Sequence, residues 1–347
     1  MRARCAFLAV PFFLLVGAVP AWAQADWVVE KTIHIGGPGG KDYLTVEPQT
    51  HRLYVARGSH TNVIDTETGQ LVADIPGQGN SHGVALVPAA GRGFISDGGA
   101  DRKSGAVVVF DLKTNNILGT IPSLGDSDGI IFDTFSKQVL VVSGDGNALQ
   151  TLKPDIDPRN GKLDPPIPLG GAPEFLASDD AGRVFVNLED KNEVAVVDIV
   201  ARKVIARWPV APGGSPVGMS IDTQKHRIFI GCRNPQKLIV MSTVDGKIVA
   251  DLPIGATVDA TKFDGGEAFA SCRDGALTVA AESSPGQFSV VQTVKTPNGA
   301  NTMALDPTTH KIYLPTSEIV PPAPGSNGRG STKPDSFMIV VVSRAEH

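Results

Sequence analysis

The segment His82-Gly-Val-Ala-Leu-Val-Pro88 has six counterparts along the chain, each a short apolar run that opens a similar unit. The counterparts are Asp42-Tyr-Leu-Thr-Val-Glu-Pro48, Asp128-Gly-Ile-Ile-Phe-Asp-Thr134, Glu174-Phe-Leu-Ala-Ser-Asp-Asp180, Val217-Gly-Met-Ser-Ile-Asp-Thr223, Asp259-Ala-Thr-Lys-Phe-Asp-Gly265 and Asn301-Thr-Met-Ala-Leu-Asp-Pro307. Successive segments begin 40 to 46 positions apart, and three further strand-like runs follow each one. A period of about 40–45 residues with four strands per unit indicates a propeller blade. We therefore predict an all-β, seven-bladed β-propeller with four-stranded antiparallel blades.

The last unit lacks its outer strand. We expect its three strands at Asn301–Leu305, Lys311–Leu314 and Phe337–Val342, close to the end of the chain. The segment Trp27–Ile35 precedes blade one and resembles the closing strands of the other blades. We predict that it completes blade seven, because pairing it there leaves no open sheet edge at the seam.

The first 23 residues predict a signal peptide. Two arginines precede an apolar stretch from Cys5 to Val19, and Ala21-Trp22-Ala23 fits the small-x-small cleavage rule. The apolar stretch is too short to span a bilayer well, so we expect no transmembrane anchor. Residues 24–347 show no shift in composition and are predicted to form a single propeller domain that is periplasmic or secreted.

Charge limits the classes of partner. The full chain has a net charge of −5, and removal of the leader with its two arginines gives −7. This balance argues against nucleic acid as a partner, since a phosphate-backbone binder needs an excess of cations. We expect a monomer that binds a small polar ligand or another exported protein. Cys232 and Cys272 remain after export, and the sequence leaves open whether they form a disulfide.

Two units carry extra residues. Blade three has the insertion Lys153–Lys162 before its fourth strand, and blade seven has the Pro- and Gly-rich insertion Ile319–Ser336 before its third strand. Long excursions on repeat proteins either lie at a functional mouth or are mobile, and both interpretations stay open.

The first residues of the seven segments are expected to converge on one mouth of the central channel, because each innermost strand starts where the second strand ends. These ring residues are Asp42, His82, Asp128, Glu174, Val217, Asp259 and Asn301. The ends of the second strands should place an outer collar around them, formed by Arg57, Asp97, Asp145, Asp190, Arg233 and Arg273. We predict ligand contacts from Asp42, His82, Asp128, Glu174, Asp259, Asn301, Arg57, Arg233 and Arg273.

Four ring residues are carboxylates, which repel one another unless a cation, an arginine or protons intervene. A divalent cation is therefore a candidate cofactor, with candidate ligands Asp42, Asp128, Glu174 and Asp259. The alternative is that polar side chains at a wet channel mouth need no ligand. His82 is the candidate catalytic residue, as a general base near carboxylates, against the alternative of a hydrogen-bonding role within the repeat.

Two stretches resemble a known family. Leu53-Tyr-Val-Ala-Arg-Gly-Ser-His-Thr-Asn-Val-Ile-Asp-Thr-Glu-Thr-Gly69 and the following Ile75-Pro-Gly-Gln-Gly-Asn-Ser-His-Gly-Val-Ala-Leu-Val-Pro88 are similar to the repeat of YVTN-type seven-bladed propellers. The tail Lys333-Pro-Asp-Ser-Phe-Met-Ile-Val-Val-Val342 looks like the ending of YncE-like exported propellers. The resemblance covers roughly residues 26–344. It implies an exported propeller, with relatives that include lactonase-like hydrolases and haem d1-binding propellers.

The leading hypothesis is a non-enzymatic binding scaffold that acts through the acidic mouth. The rival is a lactonase-like hydrolase at the same mouth, in which a carboxylate or His82 activates water and Arg57, Arg233 or Arg273 holds an anionic substrate. A divalent-cation-binding propeller is the second alternative. None of the familiar nucleophile or phosphate-binding motifs is present in the sequence.

Overall fold

The computed structural model describes residues 26–321 and 330–345, and these residues form β-sheets and short turns with no α-helix. The strands form seven four-stranded blades. Six of them are built from consecutive strands, and the seventh combines strands from the two ends of the chain. Within the described ranges, no helix is long and apolar enough to cross a membrane. The predicted leader, residues 1–23, lies outside the described residues.

The strands of each blade are given from the channel outward. Blade one contains Leu44–Glu47, Arg52–Ala56, Gly58–Asp65 and the first part of Leu71–Val87. Blade two contains the second part of Leu71–Val87, then Arg92–Asp97, Ser104–Asp111 and Ile117–Leu124. Blade three contains Ser127–Asp133, Gln138–Ser143, Ala148–Leu152 and Ile167–Pro168. Blade four contains Pro173–Ser178, Arg183–Leu188, Glu193–Asp198 and Lys203–Pro209.

The remaining blades follow the same order. Blade five contains Pro216–Asp222, Arg227–Arg233, Gln236–Ser242 and Ile248–Leu252. Blade six contains Val258–Asp264, Glu267–Cys272, Ala276–Ser284 and Gln287–Lys295. Blade seven contains Ala304–Leu305, Ile312–Thr316, Met338–Arg344 and Trp27–His34. Short 3-10 turns lie at Pro48–Thr50, Pro88–Ala90 and Glu189–Lys191, and a small hairpin pairs Ile319–Val320 with Ser331–Thr332.

The predicted fold class is confirmed, including the closure of the ring. Trp27–His34 pairs antiparallel with Met338–Arg344, from Trp27 opposite Arg344 to His34 opposite Met338. Trp27 also packs edge-on against Phe269 of blade six and donates its indole N–H to Glu267 at 3.0 Å. Burying an aromatic or aliphatic side chain of this kind contributes about 1.5–3 kcal/mol, so the seam stabilises the whole ring.

The hydrophobic core lies between the blades. The described residues form seven buried clusters, and each cluster combines side chains of neighbouring blades; the cluster between blades six and seven also includes Tyr43 of blade one. At the seam, for example, Leu53 of blade one packs with Ile339 of blade seven, and Phe269 of blade six packs with Val340 of blade seven. A single blade therefore cannot bury both of its faces alone, and the core exists only in the closed ring.

One detail of the sheets departs from the repeat. The strand Leu71–Val87 passes without interruption from the outer edge of blade one to the innermost position of blade two, so these two blades form one seven-stranded sheet. The other blades are separate sheets. Cys232 and Cys272 do not form a disulfide, because both thiols are free. Cys232 lies in the core between blades four and five, and Cys272 lies in the core between blades five and six.

Candidate functional site

Asp42 and Asn301 lie just before the innermost strands Leu44–Glu47 and Ala304–Leu305, and the other ring residues lie at irregular points within theirs. The pairing of the first two strands shifts register across His82 in blade two, across Glu174 in blade four, across Val217 in blade five and across Asp259 in blade six. A β-bulge leaves one residue out of the ladder and re-aims its side chain. The repeat therefore builds a ring of re-aimed side chains at one mouth of the channel.

Three ring residues from blades one to three form a compact cluster, which we call the triad: Asp42, His82 and Asp128. His82 Nδ1 lies 2.7 Å from Asp42 Oδ2 and 3.8 Å from Asp128 Oδ1. One potential ligand atom from each residue falls within 4.8 Å of the others. Atoms at these separations can surround a single ion, because metal–ligand bonds of about 2 Å bring donor atoms within a few ångströms of one another.

The charge of His82 is set by its acidic neighbours. Burial lowers the pKa of His82, but the hydrogen bond with Asp42 and the charges of Asp128, Asp42 and Asp126 outweigh it and raise the pKa to about 9. His82 is then an imidazolium at neutral pH in the absence of another cation. The Asn80 Nδ2 atom lies 2.8 Å from Nε2, and this amide nitrogen can donate to Nε2 only while Nε2 carries no proton.

Asp128 is the least satisfied member of the triad. Its Oδ1 atom is buried and has no hydrogen-bond partner among the described residues. Burial is the main cause that raises the pKa of Asp128 to about 8; the His82 charge lowers it and the charges of Asp42, Asp126 and Asp259 raise it. A buried carboxyl oxygen without a partner costs free energy that a bound cation or an ordered water would recover.

On the other side of the ring, Asp259 is paired with basic and amide side chains. Arg233 forms ion pairs with Asp259 and, at 3.2 Å, with Glu189. Asn301 donates to Asp259 at 2.5 Å and accepts from Lys41 Nζ at 2.6 Å. Burial raises the pKa of Asp259 to about 6 even though the Arg233 charge lowers it. Both oxygens of Asp259 are thus engaged, which leaves this residue poorly placed to ligate a metal.

Glu174 pairs with a second carboxyl. Burial, the charge of Asp128 and a side-chain hydrogen bond with Glu189 raise the pKa of Glu174 to about 10. Two carboxyls in hydrogen-bond contact share a proton, because both cannot ionise at that distance. Of the four carboxyls predicted as candidate metal ligands, only Asp42 and Asp128 lie in the triad; Glu174 and Asp259 have other partners.

The collar residues divide by role. Arg57 is buried with its guanidinium 3.5 Å from the centre of the Phe337 ring, and it donates to Asn62 and to carbonyls of the Gly36–Gly40 loop. Asp97 accepts hydrogen bonds from three backbone N–H groups of the neighbouring loops. Arg57 and Asp97 therefore hold loops together. Asp145, Asp190 and Arg273 are exposed at the rim.

The blade-seven insertion begins and ends at the mouth. A cleft of ≈ 770 Å³ borders Lys41, Asp42, Asp259, Arg273 and Asn301, and the hairpin that pairs Ile319–Val320 with Ser331–Thr332 forms one side of it. The described parts of the insertion therefore lie at the same mouth of the channel as the ring residues. The central part of the insertion, 322–329, lies outside the described residues.

Several residues at the mouth were not singled out from the sequence. Lys41 and Asn80 are one and two positions before ring residues, and Glu189 precedes the collar residue Asp190. The sequence offers a weak signal for Lys41 and Asn80, namely polar side chains next to ring positions. Nothing in the repeat marks Glu189, because its role depends on contacts between blades.

Two aromatic side chains close the channel just below the ring. Tyr43 and Phe175 follow the ring residues Asp42 and Glu174 in blades one and four, and their ring centroids are 4.7 Å apart across the channel. Burial and the charges of the surrounding carboxyls raise the pKa of Tyr43 well above its usual range. The two aromatic rings therefore form the bottom of the acidic mouth.

Comparison with solved structures agrees with this architecture. The chain is similar to the Kuenenia stuttgartiensis hydrazine synthase over 81% of this chain and 94% of that one, with 16% identity and a TM-score of 0.68. It is similar to the crystal structure of the RRP9 WD40 repeats over 90% and 97% of the two chains, with 12% identity and a TM-score of 0.71. The fold is a β-propeller. At these identities the likeness shows the fold alone, and the sequence matches no family model and no curated protein.

Proposed function

We propose that this propeller is an exported, YncE-like binding protein whose acidic mouth holds a divalent transition-metal cation at the triad. The observation that carries the proposal is the buried, unpartnered Asp128 Oδ1 beside His82 Nδ1 and Asp42 Oδ2. The resemblance of the repeats to YVTN-type propellers and the signal-peptide pattern support export to the periplasm or beyond the cell.

The donor set favours one class of cation. One imidazole nitrogen with two carboxylates suits Mn²⁺ or Zn²⁺, whereas Ca²⁺ prefers oxygen ligands alone. When Nδ1 ligates the cation, the proton stays on Nε2, and Asn80 can accept that hydrogen bond through its oxygen after its amide rotates from the orientation in which Nδ2 faces Nε2. With only three protein ligands, the remaining coordination positions of the cation are open to water or to a polar ligand that enters the mouth.

Metal binding at the triad must displace protons. The pKa of His82 is raised to about 9, so the ring has to lose its Nδ1 proton before it ligates. The Asp128 carboxyl, whose pKa is raised to about 8, must lose its proton as well, so each of the two protons weakens binding about tenfold for every pH unit below the pKa of its group. We expect the affinity for Mn²⁺ or Zn²⁺ to rise steeply between pH 6 and pH 8.

The same imidazolium argues against the hydrolase alternative. A general base must be unprotonated near the working pH, and His82 is held in its charged form by Asp42 and Asp128. Binding is therefore the function that the mouth supports best.

The test uses thermal unfolding and calorimetric titration of the protein with Mn²⁺, Zn²⁺ and Ca²⁺. A cation at about 100 times its Kd stabilises the folded state by about 2.7 kcal/mol, which is visible as a higher Tm. We expect Asp128→Asn and Asp42→Asn to abolish the increment. Glu174→Gln is the matched control, because this carboxyl of the same mouth lies outside the triad and should leave the increment intact.

The proposal fails if the Tm of the parent protein does not respond to Mn²⁺ or Zn²⁺ at pH 8. It also fails if Glu174→Gln removes the response as completely as Asp128→Asn does, since the site would then be diffuse. Binding that is insensitive to pH between 6 and 8 would show that His82 is not a ligand.

A further inference from the structure

A second site lies in the channel on the far side of the Tyr43–Phe175 pair. The innermost strands enclose a chamber of ≈ 560 Å³ there, within the size range of about 300–1,000 Å³ that is usual for small-molecule pockets. Its walls are largely apolar, with side chains such as Ile131, Phe132 and Met219. No residue of the triad borders it, so this chamber is distinct from the acidic mouth.

Lys262 is the cation of this chamber. It occupies the fourth position of its innermost segment, where the other blades carry small or uncharged residues: Thr45, Ala85, Ile131, Ala177, Ser220 and Ala304. Its ammonium lies 5.8 Å from the centre of the Phe175 ring, and among the described residues it has no hydrogen-bond or ion-pair partner. Burial alone lowers the pKa of Lys262, with no carboxylate near enough to raise it again.

Ser220 supplies a second unused polar group. It holds the equivalent position in the adjacent blade five, its side chain borders the same chamber, and its buried Oγ has no hydrogen-bond partner. The two acids that border the chamber are already engaged. Glu47 accepts from Thr50 at 2.5 Å, and Asp180 accepts from Thr134 at 2.6 Å.

A half-buried ammonium without a partner and a buried hydroxyl without a partner both cost free energy, and an anion beside Lys262 would satisfy the ammonium. The apolar walls would at the same time bury the hydrocarbon part of a ligand. We propose that the chamber binds a small organic anion with an apolar body, such as an aryl-alkyl carboxylate, with its charged head at Lys262 and Ser220. This site is independent of the metal at the mouth.

The experiment uses 8-anilinonaphthalene-1-sulfonate, a fluorescent anion with an apolar body, on the folded protein. We expect one saturable site, displaced by 4-phenylbutyrate and at least tenfold less well by 4-phenylbutan-1-ol or 4-phenylbutylamine, which share its body without the negative charge. Lys262→Met should weaken dye and carboxylate binding at least tenfold, and Ser220→Ala should weaken them about threefold. Lys203→Met, at an exposed lysine of blade four, is the matched control and should bind as the parent does.

Lys262→Arg keeps the charge and should keep the preference for the acid over the alcohol, which separates an electrostatic role from packing if Lys262→Met folds poorly. Equal displacement by the acid, the alcohol and the amine would overturn the proposal, because an apolar cavity alone would explain it. Unchanged binding in Lys262→Met, or the lack of saturable binding in the parent, would overturn it as well.

Discussion

Glu174 is expected to destabilise the fold at neutral pH, and its replacement by Gln should reveal by how much. In the folded protein burial, the charge of Asp128 and the hydrogen bond with Glu189 raise its pKa to about 10, against an ordinary value of 4.5. The folded state therefore keeps a proton that the unfolded state releases. A group of this kind contributes its full stability below the unfolded pKa, and the contribution is lost as the pH rises towards the folded pKa.

The size of the effect follows from this pKa difference. Between pH 4.5 and pH 7 the unfolded chain gains about 1.4 kcal/mol per pH unit relative to the folded chain, which amounts to about 3 kcal/mol at pH 7. Gln has the shape of protonated Glu and can donate its amide N–H to Glu189, so it keeps the hydrogen bond without the titration. Glu174→Gln should therefore be more stable than the parent by up to about 3 kcal/mol at pH 7, and equally stable below pH 4.

The assay is urea denaturation of both proteins at pH 4, 7 and 8.5, together with Tm. For a chain of this size, each kcal/mol corresponds to about 2 °C in Tm. Asp155→Asn, at an exposed position without a side-chain hydrogen bond or ion pair among the described residues, is the control and should match the parent at every pH. A Glu174→Gln variant that is no more stable than the parent at pH 7, or whose advantage does not grow from pH 4 to pH 8.5, would refute the reasoning.

Three further expectations test the fold and the mouth. Deletion of Asp26–Ile35 removes the outer strand of blade seven, so the chain should lose cooperative unfolding or aggregate; an equally stable monomer would contradict the role of the seam. Cys232 and Cys272 are buried free thiols whose pKa values burial raises to about 12, so a thiol reagent should label both in urea and neither in the native protein. A panel of lactones should show no turnover at pH 7; turnover that falls at least about 100-fold in His82→Ala with unchanged Tm would establish the hydrolase instead.

The fold was predictable because the same strand pattern recurs seven times along the sequence. The seven segments fix the number of innermost strands, and Trp27–Ile35 is recognisable as a closing strand by its match to other blades. The continuous strand Leu71–Val87 was not predictable in the same way. Its central residues, Gly77–Asn80, resemble a loop, and only pairing on both sides shows that the chain stays extended.

The positions of the residues at the mouth were predictable from the sequence, but their hydrogen-bond and ion-pair partners were not. The repeat places Asp42, His82 and Asp128 at equivalent points of neighbouring blades, so their proximity follows from the blade order. The pairing of Glu174 with Glu189, and the inward burial of Arg57, depend on side-chain directions that no period records. Charge states were missed for the same reason, since burial and neighbouring charges determine them.

The two ends of the channel surround their charged side chains differently. At the mouth the carboxyls raise one another's pKa values and hold His82 charged, whereas no carboxylate contributes to the lowered pKa of Lys262 in the chamber. The Tyr43–Phe175 pair lies between the two ends and leaves Lys262 without an acidic partner. Because charged groups interact strongly only at short range or in dry surroundings, a cation at the triad and an anion at Lys262 should bind without mutual dependence. The two proposals thus give the channel two separate binding sites, one at each end of the ring.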